Sequence, residues 1–262
     1  MCDALEVSRS NYYQLTDGEP MALRNEVSDE DVLTHIKEVT KDRPTYGYRR
    51  VTAMVRQKIP VNHKRIYRLM KENQLLLQKF GPRPTRTHDG KVETIKSNVR
   101  WCSDGFGIQC WNGEKLEVVF SLDCHDREVI SWMTSSRGID GSIVRDLMTE
   151  TVEARFGGKV PFKVQWLTDN GPGFVARETV YFGRSLGLEM CTTAPYSPES
   201  NGMAEAFVKT FKRDYAYVND LSSADRVREQ IAGWFEDYNE KAPHKALDLK
   251  SPREYRRLNR VS

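Results

Sequence analysis

From Trp101 onward the order of apolar segments leaves few folds open. Three stretches of strand texture, 101–110, 116–123 and 128–134, follow one another with no helical pattern between them. The last two flank Cys124-His125-Asp126-Arg127, which reads as a hairpin turn. The texture then alternates. A helix over about 140–155 has Ile143, Val144, Leu147 and Met148 as its inner face. A strand at 163–168, a helix near 174–186 and a short strand at 188–193 follow, and then a helix that carries Glu205. Strands joined by tight turns pair antiparallel, whereas a strand–helix–strand step permits parallel pairing. The chain is therefore expected to fold as an α/β unit with a mixed five-stranded sheet flanked by helices. Residues 222–240 form a last amphipathic helix, and the tail from Lys241 through Ser251-Pro252 reads as irregular.

The hundred residues ahead of this unit have a different character. Residues 1–40 carry 3 Lys/Arg against 9 Asp/Glu, and residues 41–100 carry 16 against 4. A net of +12 in sixty residues calls for a polyanionic partner, unless it is simply a solvated helical face. Ser28 with Asp31 marks a helix start, and Val32, Leu33, Ile36 and Val39 give it helical spacing. After Pro44, Tyr46 to Lys58 has Val51, Met54 and Val55 on one side. Ile59-Pro60 breaks that helix. A second runs from Asn62 to about Gln74, with Ile66, Leu69 and Met70 opposite Lys64, Arg65, Arg68 and Lys71. Two short helices, a tight break and a basic second helix predict a small all-α helix-turn-helix domain. An ordinary helical pair with a basic surface gives the same pattern. Ser8-Arg9-Ser10-Asn11-Tyr12-Tyr13 resembles the turn and second helix of another such unit, with too little chain ahead of it for a first helix. Residues 79–100 hold Gly81, Pro82, Pro84 and Gly90 among basic residues and read as a basic linker. The expected organisation is a helical region 1–78, the linker 79–100, a core 101–219 and a C-terminal helix and tail 220–262.

No run of about 18 apolar residues occurs, and the first residues have no signal-peptide character. The five cysteines are scattered without a C-x-x-C, which points to reduced thiols and a cytoplasmic location. A zinc site from Cys102, Cys110, Cys124 and His125 lacks the usual knuckle spacing.

Three acids carry the chemistry. Asp104 closes Trp101-Cys102-Ser103-Asp104, and Asp169 ends the apolar run from Val164. Glu205 lies thirty-six positions beyond Asp169, with thirty-five residues between them, at the start of a helix after Ser197-Pro198-Glu199-Ser200-Asn201-Gly202-Met203-Ala204. Asp104 and Asp169 are expected at or near strand ends, with Glu205 approaching from the helix. Carboxylates so placed suit hard divalent cations, and two such ions about 3.5–4 Å apart can activate a hydroxyl and steady a leaving oxygen. Spacing alone is weak support in an acid-rich chain. Asp123, at the end of the second strand, is a competing ligand, and Asp126 is expected to stabilise the turn with Arg127. His125 and His244 read as structural or DNA-contacting.

The contexts of these acids resemble a known family. Trp101-Cys102-Ser103-Asp104, Thr168-Asp169-Asn170-Gly171 and Ser197 through Glu205 resemble, in order and spacing, the three catalytic motifs of bacterial insertion-sequence transposases of the IS-three family. Those proteins share a retroviral-integrase-type core. Arg43-Pro44-Thr45-Tyr46-Gly47-Tyr48-Arg49-Arg50 resembles the family's motif ahead of the core. Tyr238-Asn239, Pro243-His244, Leu247 and Ser251-Pro252 resemble its C-terminal signature. The chain is similar to the second-reading-frame product. One departure is Pro172-Gly173-Phe174, where many relatives have Ser-Gln-Phe.

The resemblance implies an RNase H-like fold and Asp104, Asp169 and Glu205 as catalytic metal ligands. It implies Mg²⁺ or Mn²⁺, with two ions expected, and cutting and joining of DNA ends through a circular intermediate. DNA contacts are expected from Arg49, Arg50, Lys64, Arg65, Arg68 and Asn170. Lys209 and Lys212 share the Glu205 face of their helix and are candidates for a terminal phosphate. The implied partners are the element's terminal repeats, target DNA, a first-frame product or fusion, and further copies of the chain. Two functions stay open. One is a DNA transposase catalytic polypeptide. The other is a DNA-binding accessory subunit, competent only when joined to first-frame sequence.

Overall fold

The computed structural model describes residues 27–78, 94–193 and 202–259. The Ser8–Tyr13 motif, most of the basic linker and Ser197–Asn201 of the third acid motif lie outside the described residues. The described chain divides into two compact units. One comprises residues up to Asp42 and Tyr46–Leu76, the other Arg43–Thr45 and the chain from Leu77 onward.

The first unit has three helices: α1 (Asp29–Asp42), α2 (Tyr48–Arg56) and α3 (His63–Glu72). Ser28 caps α1 as expected, its hydroxyl accepting from the Asp31 amide at 3.0 Å and donating to the Asp31 carboxylate at 2.8 Å. Asn62 caps α3 through the Lys64 amide. Val32, Ile36, Val51, Val55, Ile66 and Met70 are wholly buried and form its core. All six were picked out by helical spacing or fall within the helices it outlined.

The second unit is built on strands β1 (Arg100–Gln109), β2 (Lys115–Asp123), β3 (Val129–Ser135), β4 (Val164–Thr168) and β5 (Leu188–Thr192). Their order is β3-β2-β1-β4-β5. β1–β2 and β2–β3 are antiparallel, and β1–β4 and β4–β5 are parallel. The mixed five-stranded sheet is thus the one expected. Helices α4 (Gly141–Phe156), α5 (Pro172–Val175), α6 (Arg177–Ser185), α7 (Gly202–Asp214), α8 (Ala224–Glu240) and α9 (Pro252–Asn259) complete the unit. Alternation along the strands divides the core. Trp101, Val119 and Trp166 face α4, against Val144, Leu147 and Met148. Cys102, Phe106, Ile108, Phe120 and Leu167 face the other way, against Phe207 and Phe211 of α7 and Ile231 and Phe235 of α8.

Two expectations about this unit need correction. The tail is not irregular throughout, because Pro252–Asn259 is helical. Its start was readable: the Glu254 amide donates to the Ser251 hydroxyl, the Glu254 carboxylate accepts from the Ser251 amide, and Pro252 opens the helix. Nor does Asp126 take Arg127 as its cation. Its carboxylate lies 3.7 Å from buried Arg155 of α4 and 3.9 Å from Arg256 of α9. Glu128 joins them, 3.0 Å from both Arg155 and Arg253 and 2.7 Å from Arg256. Burial alone would raise the Glu128 carboxyl, but Arg155, Arg256 and Arg253 outweigh it and hold it below its ordinary value. Desolvation pushes Asp126 the other way, to about 6, with the Asp123 charge adding to it.

The C-terminal signature has a structural role here. The Asn239 side chain accepts from the Val129 amide and donates to the Val129 carbonyl, both at 2.9 Å. It thereby fastens α8 to β3 as a neighbouring strand would. Among the described residues no helix is long and apolar enough to cross a membrane.

Candidate active site

The parallel register of β1 and β4 brings Asp104 and Asp169 together. Cys102 pairs with Leu167 and Ser103 with Thr168, so the next step sets Asp104 level with Asp169. Cys102 and Leu167 belong to the same core cluster, and two residues on from each the side chain returns to that face. Asp169 fits the strand-end expectation, since β4 stops at Thr168. Asp104 does not. It is the fifth residue of ten in β1 and pairs with Phe120 of β2. Only its parallel neighbour has ended, so Asp104 stands at the lip of a gap and inside a strand at once.

Helix α7 covers the same face. Ala204, Phe207 and Phe211 are buried toward the sheet, where Phe211 meets Phe106 and Phe207 meets Phe120. Glu205 follows Ala204 by about 100° of helical rotation, which sets it at the exposed edge of that contact. Lys209 lies 3.8 Å from the Glu205 carboxylate. The Lys212 ammonium stands 5.5 Å from the Phe106 ring centroid, over the strand that carries Asp104. Desolvation, and then Lys115, lower its proton affinity, while Glu117 opposes them. Asn170 is exposed, and its amide donates to the Thr193 carbonyl at 3.3 Å, tying the Asp169 loop to the end of β5.

The electrostatics link the three acids. Burial raises the Asp104 carboxyl to about 6, and the charges of Asp169 and Glu205 add to the rise, while the Gly105 amide opposes it. As the side chains stand, Asp104 Oδ1 accepts from Gly105 N at 2.7 Å and Asp169 Oδ1 from Gly171 N at 2.9 Å. Among the described residues no three His, Cys, Asp or Glu side chains converge closely enough to hold one ion in this arrangement. The donor set nevertheless fits a hard divalent cation. It offers only carboxylate oxygens, and their mutual repulsion is what bound positive charge relieves. Asp123 is a poorer candidate, because its carboxylate accepts from the Asn98 and His125 amides at 2.7 and 2.8 Å and is fully buried. Cys102, Cys110 and Cys124 are buried free thiols, and the His125 ring is bonded to the Thr94 carbonyl.

The Pro172-Gly173 departure is a matter of packing. Pro172 begins the one-turn helix α5. A Cβ on Gly173 would stand 3.0 Å from the Asp140 carbonyl carbon and 3.1 Å from the Ile139 and Asp140 oxygens. Only glycine lets the loop after Asp169 approach the backbone ahead of α4 so closely. The sequence contained Gly173 but not the neighbour that requires it.

The expected DNA contacts of the helical unit are placed unevenly. Lys64 and Arg49 are exposed. Arg50 lies over the Tyr46 ring at 3.5 Å from its centroid. Arg65 and Arg68 both bind the Asp29 carboxylate.

Comparison with known proteins gives the family. The HTH-like domain family matches residues 27–80, and the integrase core domain family matches 95–198 and, in a second form, 186–252. Transposase InsD for insertion element IS2A/D/F/H/I/K of Escherichia coli is 48% identical over 238 residues, 87% of this chain and 79% of the relative. InsD for insertion element IS2-9 of Escherichia coli strain K12 is likewise 48% identical over 238 residues, covering 87% and 78%. A chain of the simian T-cell lymphotropic virus intasome in complex with PP2A regulatory subunit B56 gamma superposes with a TM-score of 0.53 at 17% identity, covering 84% of this chain and 73% of its own. That likeness shows the fold alone. A helix-turn-helix-like unit followed by an integrase core defines a class, the DNA transposases of the DDE polynucleotidyl transferase type. Within it, the chain belongs to the insertion-element transposase family that includes these InsD proteins. None of these relatives favours an accessory subunit.

Proposed function

We propose that Asp104, Asp169 and Glu205 are the catalytic residues and hold two Mg²⁺ or Mn²⁺ ions during DNA strand cleavage and strand transfer. The observation that carries this reading is the register that sets Asp104 level with Asp169 on the face covered by the Glu205 helix. Divalent ions supply charge neutralisation at the phosphate and activation of the attacking hydroxyl. The chain's own part is positional. Asp104 is held by the pairing of β1 with Phe120 of β2, Asp169 by its bond to the Gly171 amide, and Glu205 by a helix seated on Phe207 and Phe211. Lys212, over Phe106, brings positive charge to a scissile or terminal phosphate, and Lys209 stands beside Glu205. Phosphoryl transfer requires in-line placement and charge neutralisation more than covalent help from the protein.

The partners in this reading are the element ends and target DNA. Synapsis of two ends calls for more than one copy of the chain, and first-frame sequence is expected to contribute end recognition. A circular DNA intermediate fits the same scheme. Titration of the full chain with Mn²⁺, followed by water-proton relaxation, tests the ligand assignment. Asp104→Asn and Asp169→Asn should each weaken binding by at least tenfold. Unchanged affinity in both variants would contradict it.

A further inference from the structure

We propose that Tyr67 reads DNA sequence through its phenolic hydroxyl, that the Tyr48–Arg49 pair supports it, and that Arg65 and Arg68 hold the helical unit together. The inference rests on the reading of this unit as DNA-binding and deepens it by dividing the work among its residues.

Lys64, Tyr67, Arg68 and Lys71 are all exposed and recur at i, i+3, i+4 and i+7, so they share one face of α3. Asp29, the first residue of α1, takes the guanidinium groups of α3. Arg65 Nε donates to its Oδ1 and an Arg68 terminal nitrogen to its Oδ2, each at 2.6 Å. Arg65 also donates to the Val27 carbonyl at 2.8 Å, and Arg68 to Glu72 at 3.3 Å. These bonds join the last helix of the unit to the start of its first. An arginine must give up such charge-assisted bonds before it can reach a base edge.

Tyr67 has no such commitment to the fold. It is 43% exposed. Its ring meets Tyr48 edge-on, with centroids 5.1 Å apart and planes at 72°. Tyr48 is held in turn by Arg49, whose Nε donates to the Tyr48 hydroxyl at 3.1 Å. The Arg49 guanidinium lies 5.6 Å from the Tyr48 ring centroid. The ring pair restricts Tyr67 before any DNA arrives, which lowers the entropy cost of a specific contact. A phenol can donate to or accept from a base edge, which phosphate contacts by lysine cannot do for sequence. Lys64, Lys71 and Arg49 are then the phosphate contacts that set register.

The test measures anisotropy of the full chain on two duplexes over a salt series. One duplex carries the encoding element's terminal repeat, and the other is a shuffled duplex of equal composition. Tyr67→Phe, which keeps the ring on Tyr48, should lower the specific-to-shuffled affinity ratio by roughly fivefold or more, with the salt slope unchanged. Tyr67→Leu should lower it at least as far. Arg49→Gln should weaken both duplexes, reduce the slope by about one, and lower the ratio by less than Tyr67→Phe does, because Tyr48 loses its hydrogen bond. Arg65→Gln should lower the melting temperature and keep the ratio. Loss of the ratio in Tyr67→Phe supports the assignment. Retention in Tyr67→Phe, whatever Tyr67→Leu does, or loss in Arg65→Gln at an unchanged melting temperature, overturns it. Equal wild-type affinity for the two duplexes would contradict sequence reading by this chain altogether, a failure distinct from that of Tyr67.

Discussion

Asp104→Asn should stabilise the metal-free protein, although it removes a proposed catalytic group. Burial holds the Asp104 carboxyl at about 6 in the folded chain, against 3.8 as the ordinary value. A group whose folded value is raised contributes stability below its unfolded value and loses it as pH rises through the folded value. The loss for Asp104 therefore develops between about pH 4 and pH 6. Two units correspond to about 3 kcal/mol at most, and partial exposure reduces this to about 1–2 kcal/mol. Asparagine carries no charge and retains an oxygen to accept from the Gly105 amide. At pH 7.5 without divalent ions, the variant should melt about 3–8 °C higher than wild type. The difference should vanish near pH 4. Millimolar Mg²⁺ should close the gap from the wild-type side, because a ligand of the native state stabilises it by mass action. Melting curves followed by circular dichroism at pH 4, 6 and 7.5, with and without Mg²⁺, provide the measurement. An Asp104→Asn protein that melts below wild type at pH 7.5, or a gain independent of pH, would show that burial, with the charges of Asp169 and Glu205, does not disfavour the ionised Asp104 carboxylate.

Three further predictions follow from packing. Arg155→Met should cost about 3–5 kcal/mol in urea unfolding, because it leaves Asp126 and Glu128 without their buried cation. Asn239→Ala should cost about 2–4 kcal/mol by the same measure, since the Val129 amide and carbonyl both lose a partner. Gly173→Ala should cost about 1–3 kcal/mol and displace the Asp169 loop, and a strand-transfer rate reduced by more than its effect on DNA affinity would show the displacement.

The sheet was legible because its order is written in local signals. Alternation marks which strand residues share a face, and tight turns or helices between strands distinguish antiparallel from parallel neighbours. The acids were singled out by context, as residues after apolar runs and at a helix start. Other features depend on residues far apart in the chain. Asp104 lies within β1, and not at its end, because β1 goes on pairing with β2 to Gln109, while β4 stops at Thr168, sixty-four residues from Asp104 in sequence. Asp126 finds Arg155 and Arg256, each supplied by a distant helix, where the sequence offered only adjacent Arg127. Arg65 and Arg68 looked like free basic surface because nothing local shows that Asp29 lies across from them. The Ser251-Pro252 helix start is the exception, since its capping pattern was present in the sequence.

The measurement closest to the central claim is strand transfer by Glu205→Gln. The variant keeps the length and packing of the side chain and removes its charge. With a labelled terminal-repeat duplex, plasmid target and Mg²⁺, at protein concentrations giving equal occupancy of the duplex, wild type should join ends to target. The variant should bind the duplex as wild type does and form joined product at least about a thousandfold more slowly, the scale at which loss of a principal charge-stabilising group is felt. Equal rates of joining by the two proteins would contradict the assignment of Glu205 to the site with Asp104 and Asp169.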